Sequence, residues 1–267
     1  MKFRYTSFSL ILLFFTPLSW SQPVAEFRGV WIATVSNIDW PQSKSNDPEK
    51  QKADFIRLAD MHKRNGMNVL VMQIRPAADA FYPSTLEPWS EFLTGKQGEA
   101  PNPYYDPLQF MIEETHKRGM EFHAWLNPYR AVFNINASSI APDHVTRKHP
   151  EWFLTYGDKK YFDPGNKQAQ AFVTSVVRDI VKRYPVDAIH MDDYFYPYRI
   201  PGKEFPDEGS FQRAGTSLSK DDWRRSNCDS IIVAIHRVIR AERPECRFGI
   251  SPFSVWRNKS KDPEGSD

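Results

Sequence analysis

The sequence predicts an α/β protein in which β-strands and α-helices alternate along the chain. Five apolar runs of strand length recur in order, each followed by a loop and a segment of helical periodicity. Long connections follow the strands, at residues 76–105, 128–165 and 194–218, whereas the turns from helix to strand are short. No glycine-rich phosphate loop follows the first strand. These patterns favour a closed barrel over a nucleotide-binding open sheet, because barrels build their active face from the loops after strands.

We therefore predict a TIM (β/α)8 barrel. Since such a barrel needs eight strands, the chain is expected to contain only the first five βα units of the domain. The predicted strands are residues 29–35, 68–75, 121–127, 187–193 and 247–251.

The helices between the strands have recognisable start and stop signals. Asp47 and Asp106 each precede a proline, which places an N-cap acceptor before a residue suited to the first helical position. Ser219 begins a capping box with the aspartate three residues later. Basic residues cluster just before Gly66 and Gly119, where cations suit the helix dipole and glycine suits a left-handed cap. We therefore assign these basic clusters to helix ends.

Alternation within the strands predicts which side chains point toward the barrel axis. Large apolar residues mark the outward face, so the residues between them face inward. For the first strand the orientation stays open, because Trp31 and Ile32 both suit a core. The polar inward residues gather at the carboxyl ends of the strands. The inward residues of the other strands are Gln73, Arg75, His123, Trp125, Asn127, Ala188, His190, Asp192 and Ser251.

The first 21 residues are predicted to be a secretory signal peptide. Lys2 and Arg4 give it a positive end, residues 8–15 are apolar but too short to span a bilayer, and small residues near Ser21 suit a signal peptidase. Cleavage there places residues 22–267, the N-terminal part of the barrel domain, in the periplasm or outside the cell. A membrane anchor is the alternative. No transmembrane segment is expected in the mature chain.

Charge limits the classes of partner. The chain has 35 Lys and Arg against 33 Asp and Glu, and loss of Lys2 and Arg4 with the signal peptide leaves 33 against 33. Nonspecific nucleic-acid binding requires clustered cations that neutralise phosphates, and the sequence has no block of like charge. Nucleic acid is therefore not expected as a partner.

The two cysteines are expected to be unpaired, even in an oxidising compartment. Cys228 lies in the first half of a predicted helix that ends near Arg243, and at 1.5 Å per residue it is about 20 Å from that end. Cys246 follows just beyond the helix. A disulfide requires a closer approach than this helix allows.

The strongest local signal is Asp192 followed by Asp193 at the end of the fourth strand. A carboxylate aimed into a cleft can act as a nucleophile or stabilise an oxocarbenium-like transition state, and the pleat turns its neighbour away. Adjacent acids also cap loops, so a structural role stays open. Arg75 could hold Asp192 ionised, bind a substrate carboxylate or form a structural ion pair.

Aromatic residues concentrate on the predicted loops and strand ends around this carboxylate. Sugars present apolar faces edged by hydroxyls, which suit aromatic walls with a few polar groups. The aromatic set is Trp31, Trp40, Trp89, Trp125, Tyr129, Tyr194, Tyr196 and Trp256. A metal site formed by His123, His190 and Asp192 is the rival, although the chain has no His-x-His or His-Glu-x-x-His element. We predict neither a metal nor another cofactor.

Several motifs resemble, in order, the glycosyl-hydrolase-like family 10. They are FRGVWIATV at residues 27–35, DWP at 39–41, DPLQFM at 106–111, HAWLNPYR at 123–130, DDYFY at 192–196, and WRN at 256–258 with DP and GSD at the end of the chain. The resemblance extends from about residue 26 to residue 267. It implies a TIM-barrel glycoside hydrolase that cleaves the glycan backbone of peptidoglycan in strands lacking stem peptides.

The resemblance also implies that residues at the strand ends line a sugar groove. Asp192 is the leading catalytic carboxylate, and Asp193 is a supporting or alternative acid. The predicted substrate contacts are Trp31, Gln73, Arg75, His123, Trp125, Asn127, Tyr129, Arg130, His190, Tyr194, Ser251 and Trp256. The second catalytic carboxylate stays unassigned. The alternatives are a non-catalytic glycan-binding barrel and a metal-dependent polysaccharide deacetylase.

Overall fold

The computed structural model describes residues 26–252. The predicted signal peptide and Trp256 lie outside these residues. The strands, in chain order, are β1 (Gly29–Ile32), β2 (Val69–Arg75), β3 (Glu121–Leu126), β4 (Arg130–Val132), β5 (Phe153–Tyr156), β6 (Lys159–Phe162), β7 (Ala188–Met191) and β8 (Arg247–Ile250).

The main sheet has five strands in the order β1-β2-β3-β7-β8, and every neighbouring pair is parallel. Each of these strands lies inside one of the predicted ranges. Spatial order follows chain order, as expected when consecutive βα units build one side of a barrel. The predicted fold class is confirmed.

Strand register settles which side chains face inward. Partners in a parallel ladder share a face, and successive residues alternate between faces. The outward row, which packs against the helices, contains Ile32, Met72, Ala124, Ile189 and Phe248. Trp31 precedes Ile32 and therefore points inward, which resolves the orientation of the first strand.

The helices are α1 (Pro48–Arg64), α2 (Glu91–Thr94), α3 (Pro107–Lys117), α4 (Val145–Lys148), α5 (Lys167–Arg183), α6 (Glu208–Ala214) and α7 (Lys220–Glu242). The predicted caps are confirmed. The side chains of Asp47, Asp106 and Ser219 each accept a hydrogen bond from the first turn of their helix. Gly66 and Gly119 have φ of 81° and 61°, the left-handed conformation that favours glycine after a helix.

A second, antiparallel sheet with the order β4-β6-β5 lies within the long connection after β3, which the sequence predicted as loop. It holds the loop after β7 in place through the hydroxyl of Tyr156. That oxygen accepts from the backbone N–H of Ile200 at 2.7 Å and donates to the carbonyl of Lys203 at 2.9 Å. Two long connections at the carboxyl edge of the main sheet thus form one wall.

The thiols of Cys228 and Cys246 are both free, as predicted. Between residues 26 and 252, no helix is long and apolar enough to cross a bilayer.

Two buried titratable groups, Asp79 and His144, lie in the long connections after β2 and β3. Their effects on stability have opposite pH dependence. Burial raises the pKa of Asp79 to about 7. Burial lowers the pKa of His144 to about 4. The folded state therefore favours protonated Asp79 and neutral His144. Stabilisation by Asp79 is lost as pH rises toward 7, whereas stabilisation by His144 is lost as pH falls from about 6.5 to 4.

We predict that Asp79→Asn gains stability relative to wild type as pH rises. Asparagine cannot ionise, so the variant avoids the cost of a buried carboxylate. Between pH 5 and pH 8 the difference in free energy of unfolding should move in the variant's favour by about 2 to 3 kcal/mol. Thermal or urea unfolding at both pH values measures it. The exposed Asp143, substituted with asparagine, is the matched control, and equal pH dependence in both variants would contradict the prediction.

Candidate functional site

Asp192 directly follows β7 at the carboxyl edge of the main sheet and is only 8% exposed. Its Oδ2 accepts hydrogen bonds from Trp125 Nε1, at 3.1 Å, and from Asn127 Nδ2. Its Oδ1 accepts from the backbone N–H of Tyr194 at 3.2 Å. Three donors from two chain segments hold the carboxylate in one orientation.

The register between β3 and β7 explains this convergence. Trp125 is paired with His190, and two residues later on each segment the chain reaches Asn127 and Asp192. Side chains two residues apart on a strand share a face, so all four point inward. The backbone N–H of Asn127 still donates to the carbonyl of Arg75 at 3.0 Å, which continues the ladder one residue beyond β3.

Arg130, on β4, supplies positive charge beside this group. Its guanidinium carbon lies 4.8 Å from the ring centre of Tyr194 and 5.7 Å from that of Phe133. Its Nη1 donates to Asn127 Oδ1 at 3.4 Å, and the residue is only 6% exposed. In the part of the chain that the structure describes, no carboxylate lies within 4 Å of its guanidinium nitrogens. The charge therefore acts on Asp192 through space.

Burial and hydrogen bonding act on Asp192 in opposite directions. Burial raises the pKa of its carboxyl group, and Asp193 adds to that effect. The N–H of Tyr194, the charge of Arg130 and the indole of Trp125 each lower the pKa, without cancelling the effect of burial. The pKa of the Asp192 carboxyl group therefore lies above the ordinary value of an aspartate.

Asp193 follows Asp192 in the loop after β7. It accepts a hydrogen bond from the hydroxyl of Tyr198, whose ring packs against that of Tyr194 at 4.7 Å. Asp193 is half-buried. Its carboxylate is therefore hydrogen-bonded within the loop after β7.

An aromatic surface lies on the inner face beside Asp192. The ring of Trp31 meets that of Trp125 edge to face at 4.6 Å and that of His190 at 4.7 Å. His190 Nε2 lies 3.0 Å from Ser251 Oγ. Trp31 is 37% exposed. Burial lowers the pKa of His190 to about 4, so its imidazole is neutral near pH 7 and can exchange hydrogen bonds with hydroxyl groups.

Four predicted substrate contacts are fully enclosed instead. Arg75, Gln73, Asn127 and Tyr129 are each 0% exposed. Arg75 forms an ion pair with Glu87, at distances of 2.5 to 3.0 Å, and donates to the carbonyl of Asn127 at 2.5 Å. The structural ion pair considered for Arg75 is therefore the arrangement found. Gln73 is enclosed by hydrogen bonds to protein groups, and Tyr129 packs in the core.

His123 lies on the inner face nearer to the amino-terminal ends of the strands than Asp192 does. Its Nε2 is 3.2 Å from Glu121 Oε2, near the amino-terminal end of β3. Its ring stacks at 6.2 Å on that of His190, which turns to Ser251. The set of His123, His190 and Asp192 considered for a metal is not assembled, and across residues 26–252 no group of three or more His, Cys, Asp or Glu side chains is placed to hold a metal ion.

The aromatic set is also only partly at the site. Trp40 is 0% exposed and donates from Nε1 to the carbonyl of Gln51, so it belongs to the core. Trp89 packs against Tyr104 at 6.4 Å in the loop after β2. Tyr196 packs against Phe205 at 5.6 Å, and its hydroxyl accepts from Asn227. Trp31, Trp125 and Tyr194 remain as the aromatic side chains around Asp192.

Sequence reasoning missed two partners that shape this region, Glu87 and Tyr198. Glu87 is a loop residue twelve positions after Arg75, and Tyr198 is one of several tyrosines after β7. Nothing local in the sequence distinguishes either from a solvated loop residue.

A buried carboxylate beside aromatic rings at the carboxyl edge of a parallel sheet is typical of carbohydrate-active barrel proteins. The solved structure of α-L-fucosidase isoenzyme 2 from Paenibacillus thiaminolyticus has a similar fold, with a TM-score of 0.54 at 14% identity. The likeness covers 84% of this chain and 32% of that one.

The chain belongs to the glycosyl hydrolase-like 10 family, whose profile matches residues 26–267. It is 50% identical over 250 residues to Glycosyl hydrolase YngK of Bacillus subtilis (strain 168), which covers 92% of this chain and 49% of the relative. It is 41% identical over 268 residues to Glycosyl hydrolase DigH of Escherichia coli (strain K12), covering 94% of this chain and 60% of the relative. The chain thus spans about half to three fifths of the length of these relatives.

Proposed function

We propose that the complete protein hydrolyses glycosidic bonds in the glycan backbone of peptidoglycan, in strands that lack stem peptides, with Asp192 as a catalytic carboxylate. We further propose that it acts in the periplasm or outside the cell, after cleavage of a signal peptide near Ser21. The activity is assigned to the complete protein because the chain spans only part of its relatives' length.

The placement of Asp192 is the observation that carries this proposal. Its carboxylate is held by Trp125, Asn127 and the N–H of Tyr194 beside a cation and an aromatic surface. Hydrolysis of a glycoside passes through an oxocarbenium-like transition state, which a fixed carboxylate stabilises either by covalent attack or by its charge. Oδ1 has a single hydrogen-bond donor and is the oxygen better placed to act.

The surrounding side chains suit a sugar. Trp31 and Trp125 present flat apolar surfaces, and Tyr194 lies over the guanidinium of Arg130. His190 and Ser251 offer neutral groups for hydroxyls. The choice of peptidoglycan rests on the family resemblance of the motifs rather than on these contacts.

A non-catalytic glycan-binding protein is the second candidate, and one observation favours it. Glycoside hydrolysis normally uses two carboxyl groups on opposite sides of the bond. Among the described residues, Asp193 is the carboxylate next to Asp192, and it faces Tyr198 instead. If no other part of the complete protein provides an acid, the site binds glycan without cleaving it.

The test compares one glycan preparation before and after enzymatic removal of its stem peptides. We expect the complete protein to release soluble fragments with new reducing ends from the peptide-free strands, and much less from the peptide-bearing ones. Chromatography with mass spectrometry identifies the fragments. A parallel reaction with chelator and an acetate assay detects a metal-dependent deacetylase.

Each outcome distinguishes the candidates. Fragment release that is insensitive to chelator supports the glycosidase. Retention of the protein on the glycan without products supports the binding protein. Acetate release that chelator abolishes would overturn the proposal in favour of the deacetylase, and equal cleavage of both preparations would refute the preference for peptide-free strands.

A further inference from the structure

We propose that Gln73 is a positioning residue for Asp192: two backbone N–H groups orient its amide, which orients Asn127 so that Asn127 donates to the carboxylate. We call Gln73, Asn127 and Asp192 the amide chain. This inference rests on the proposed role of Asp192 in catalysis. Gln73 itself does not contact the substrate, because it is 0% exposed.

The turn after β1 orients Gln73, the first residue of the amide chain. Gln73 Oε1 accepts from the backbone N–H groups of Thr34 and Val35, both at 2.9 Å. An NH2 group in that position would face two donors, so the oxygen of the Gln73 amide must point to the turn. The nitrogen must then point the other way, toward the end of β3.

The Gln73 amide in turn fixes the orientation of the Asn127 amide, because donors must face acceptors. Gln73 Nε2 donates to Asn127 Oδ1 at 2.5 Å, and Arg130 Nη1 approaches the same oxygen at 3.4 Å. Two donors on Oδ1 leave Nδ2 facing Asp192 Oδ2, to which it donates. A flipped Asn127 would place its oxygen against the carboxylate and its NH2 group against two other donors.

The turn that orients Gln73 has an unusual backbone. Ser36 and Asn37 both have φ of 54°, a conformation that residues other than glycine seldom adopt. Asn37 Nδ2 donates to the carbonyls of Pro41 and Phe92, at 2.9 and 2.7 Å, which hold the turn in place. The surrounding structure thus maintains a strained path that aims two N–H groups at Gln73.

The charged groups near Asp192 are Arg130, which favours its ionised form, and Asp193, which disfavours it. The Asn127 donor adds to the effect of Arg130, because a hydrogen bond to a carboxylate stabilises the charged form. Loss of the orientation imposed by Gln73 lets Asn127 turn. The carboxylate then loses a donor, and its pKa should rise.

Gln73→Met in the complete protein tests the inference, because methionine fills the space without hydrogen bonds. We expect the acidic limb of the kcat profile to move up by about one pH unit and kcat at its plateau to fall about tenfold. A second measurement does not depend on activity. The carboxyl 13C titration of Asp192, assigned by its absence in Asp192→Asn, should move up by a similar amount.

Gln51→Met is the matched control. Gln51 is 2% exposed, and its amide donates to the carbonyls of Ser45 and Leu93 and accepts from the hydroxyl of Tyr105. Its loss should lower the melting temperature while the Asp192 titration stays unchanged.

The outcomes separate this inference from the proposed function. An unchanged Asp192 titration in Gln73→Met, with a loss of melting temperature equal to that of Gln51→Met, would overturn the role of Gln73. If methionine at position 73 prevents folding, Gln73→Leu gives the same test, because leucine likewise cannot donate a hydrogen bond to Asn127. Wild type without glycan hydrolysis would refute the proposed function, and the 13C titration would still decide the role of Gln73.

Discussion

Replacing Asp192 with asparagine in the complete protein is expected to lower kcat for glycan hydrolysis by about a thousandfold. Asparagine keeps the shape of the side chain and can still accept from Trp125 and Asn127 through its oxygen, but it carries no charge and cannot attack the sugar. Fragment release under single-turnover conditions measures the loss. Substrate binding should change much less than kcat, because the aromatic surface is intact.

Asp193→Asn is the matched control for this experiment. Asp193 accepts from Tyr198 and shares none of the donors that hold Asp192, so its replacement should leave most of the activity. Wild-type-like release by Asp192→Asn, or a larger loss in Asp193→Asn, would remove Asp192 from the catalytic role.

In the wild type, the acidic limb of the kcat profile should lie above the ordinary pKa of an aspartate, because burial raises the pKa of Asp192 and the ionised form is required.

The largest effect on stability is expected at the ion pair of Arg75 and Glu87. Both side chains are 0% exposed, and three contacts of 2.5 to 3.0 Å join them. Glu87→Gln leaves the guanidinium buried without its counter-charge, which should cost about 3 to 5 kcal/mol of unfolding free energy. Chemical denaturation of the complete protein, followed by near-UV circular dichroism, measures this cost.

The double variant Arg75→Met with Glu87→Leu separates charge from packing. With both charges removed, no unpaired ion remains, so the double variant should be more stable than Glu87→Gln alone. A loss below about 1 kcal/mol in Glu87→Gln would mean that water or another group compensates Arg75, in the manner of an exposed pair.

The strands of the main sheet could be predicted from the sequence because their signals are local. Apolar runs of strand length, proline at helix starts and glycine at helix ends each act within a few residues. Alternation then placed Trp125, Asn127, His190 and Asp192 on one face, and the register confirms it. The first strand is shorter than predicted, since the N–H groups of Thr34 and Val35 donate to a side chain instead of a neighbouring strand.

What could not be predicted depends on tertiary structure. The strands of the antiparallel sheet are three or four residues long, too short for a periodic signal. Regular alternation along β2 placed both Gln73 and Arg75 on the inner face, so both were expected to reach substrate. The ladder with β3 is in fact irregular between these two residues, and Arg75 is paired with the outward-facing Leu126. Their enclosure depends on Glu87 and on the left-handed turn at Ser36, neither of which has a signature in the sequence.

Gln73, the first residue of the amide chain, is oriented by main-chain N–H groups. This limits which sequence changes near the turn can disturb the amide chain. Every amino acid except proline provides an N–H, so side-chain changes at positions 34 and 35 preserve the two donors. Insertion or deletion of a single residue in the turn over residues 33–40 would instead move both donors away from Gln73. Substitution at positions 34 and 35 therefore keeps the two donors, whereas a change in the length of the turn removes them.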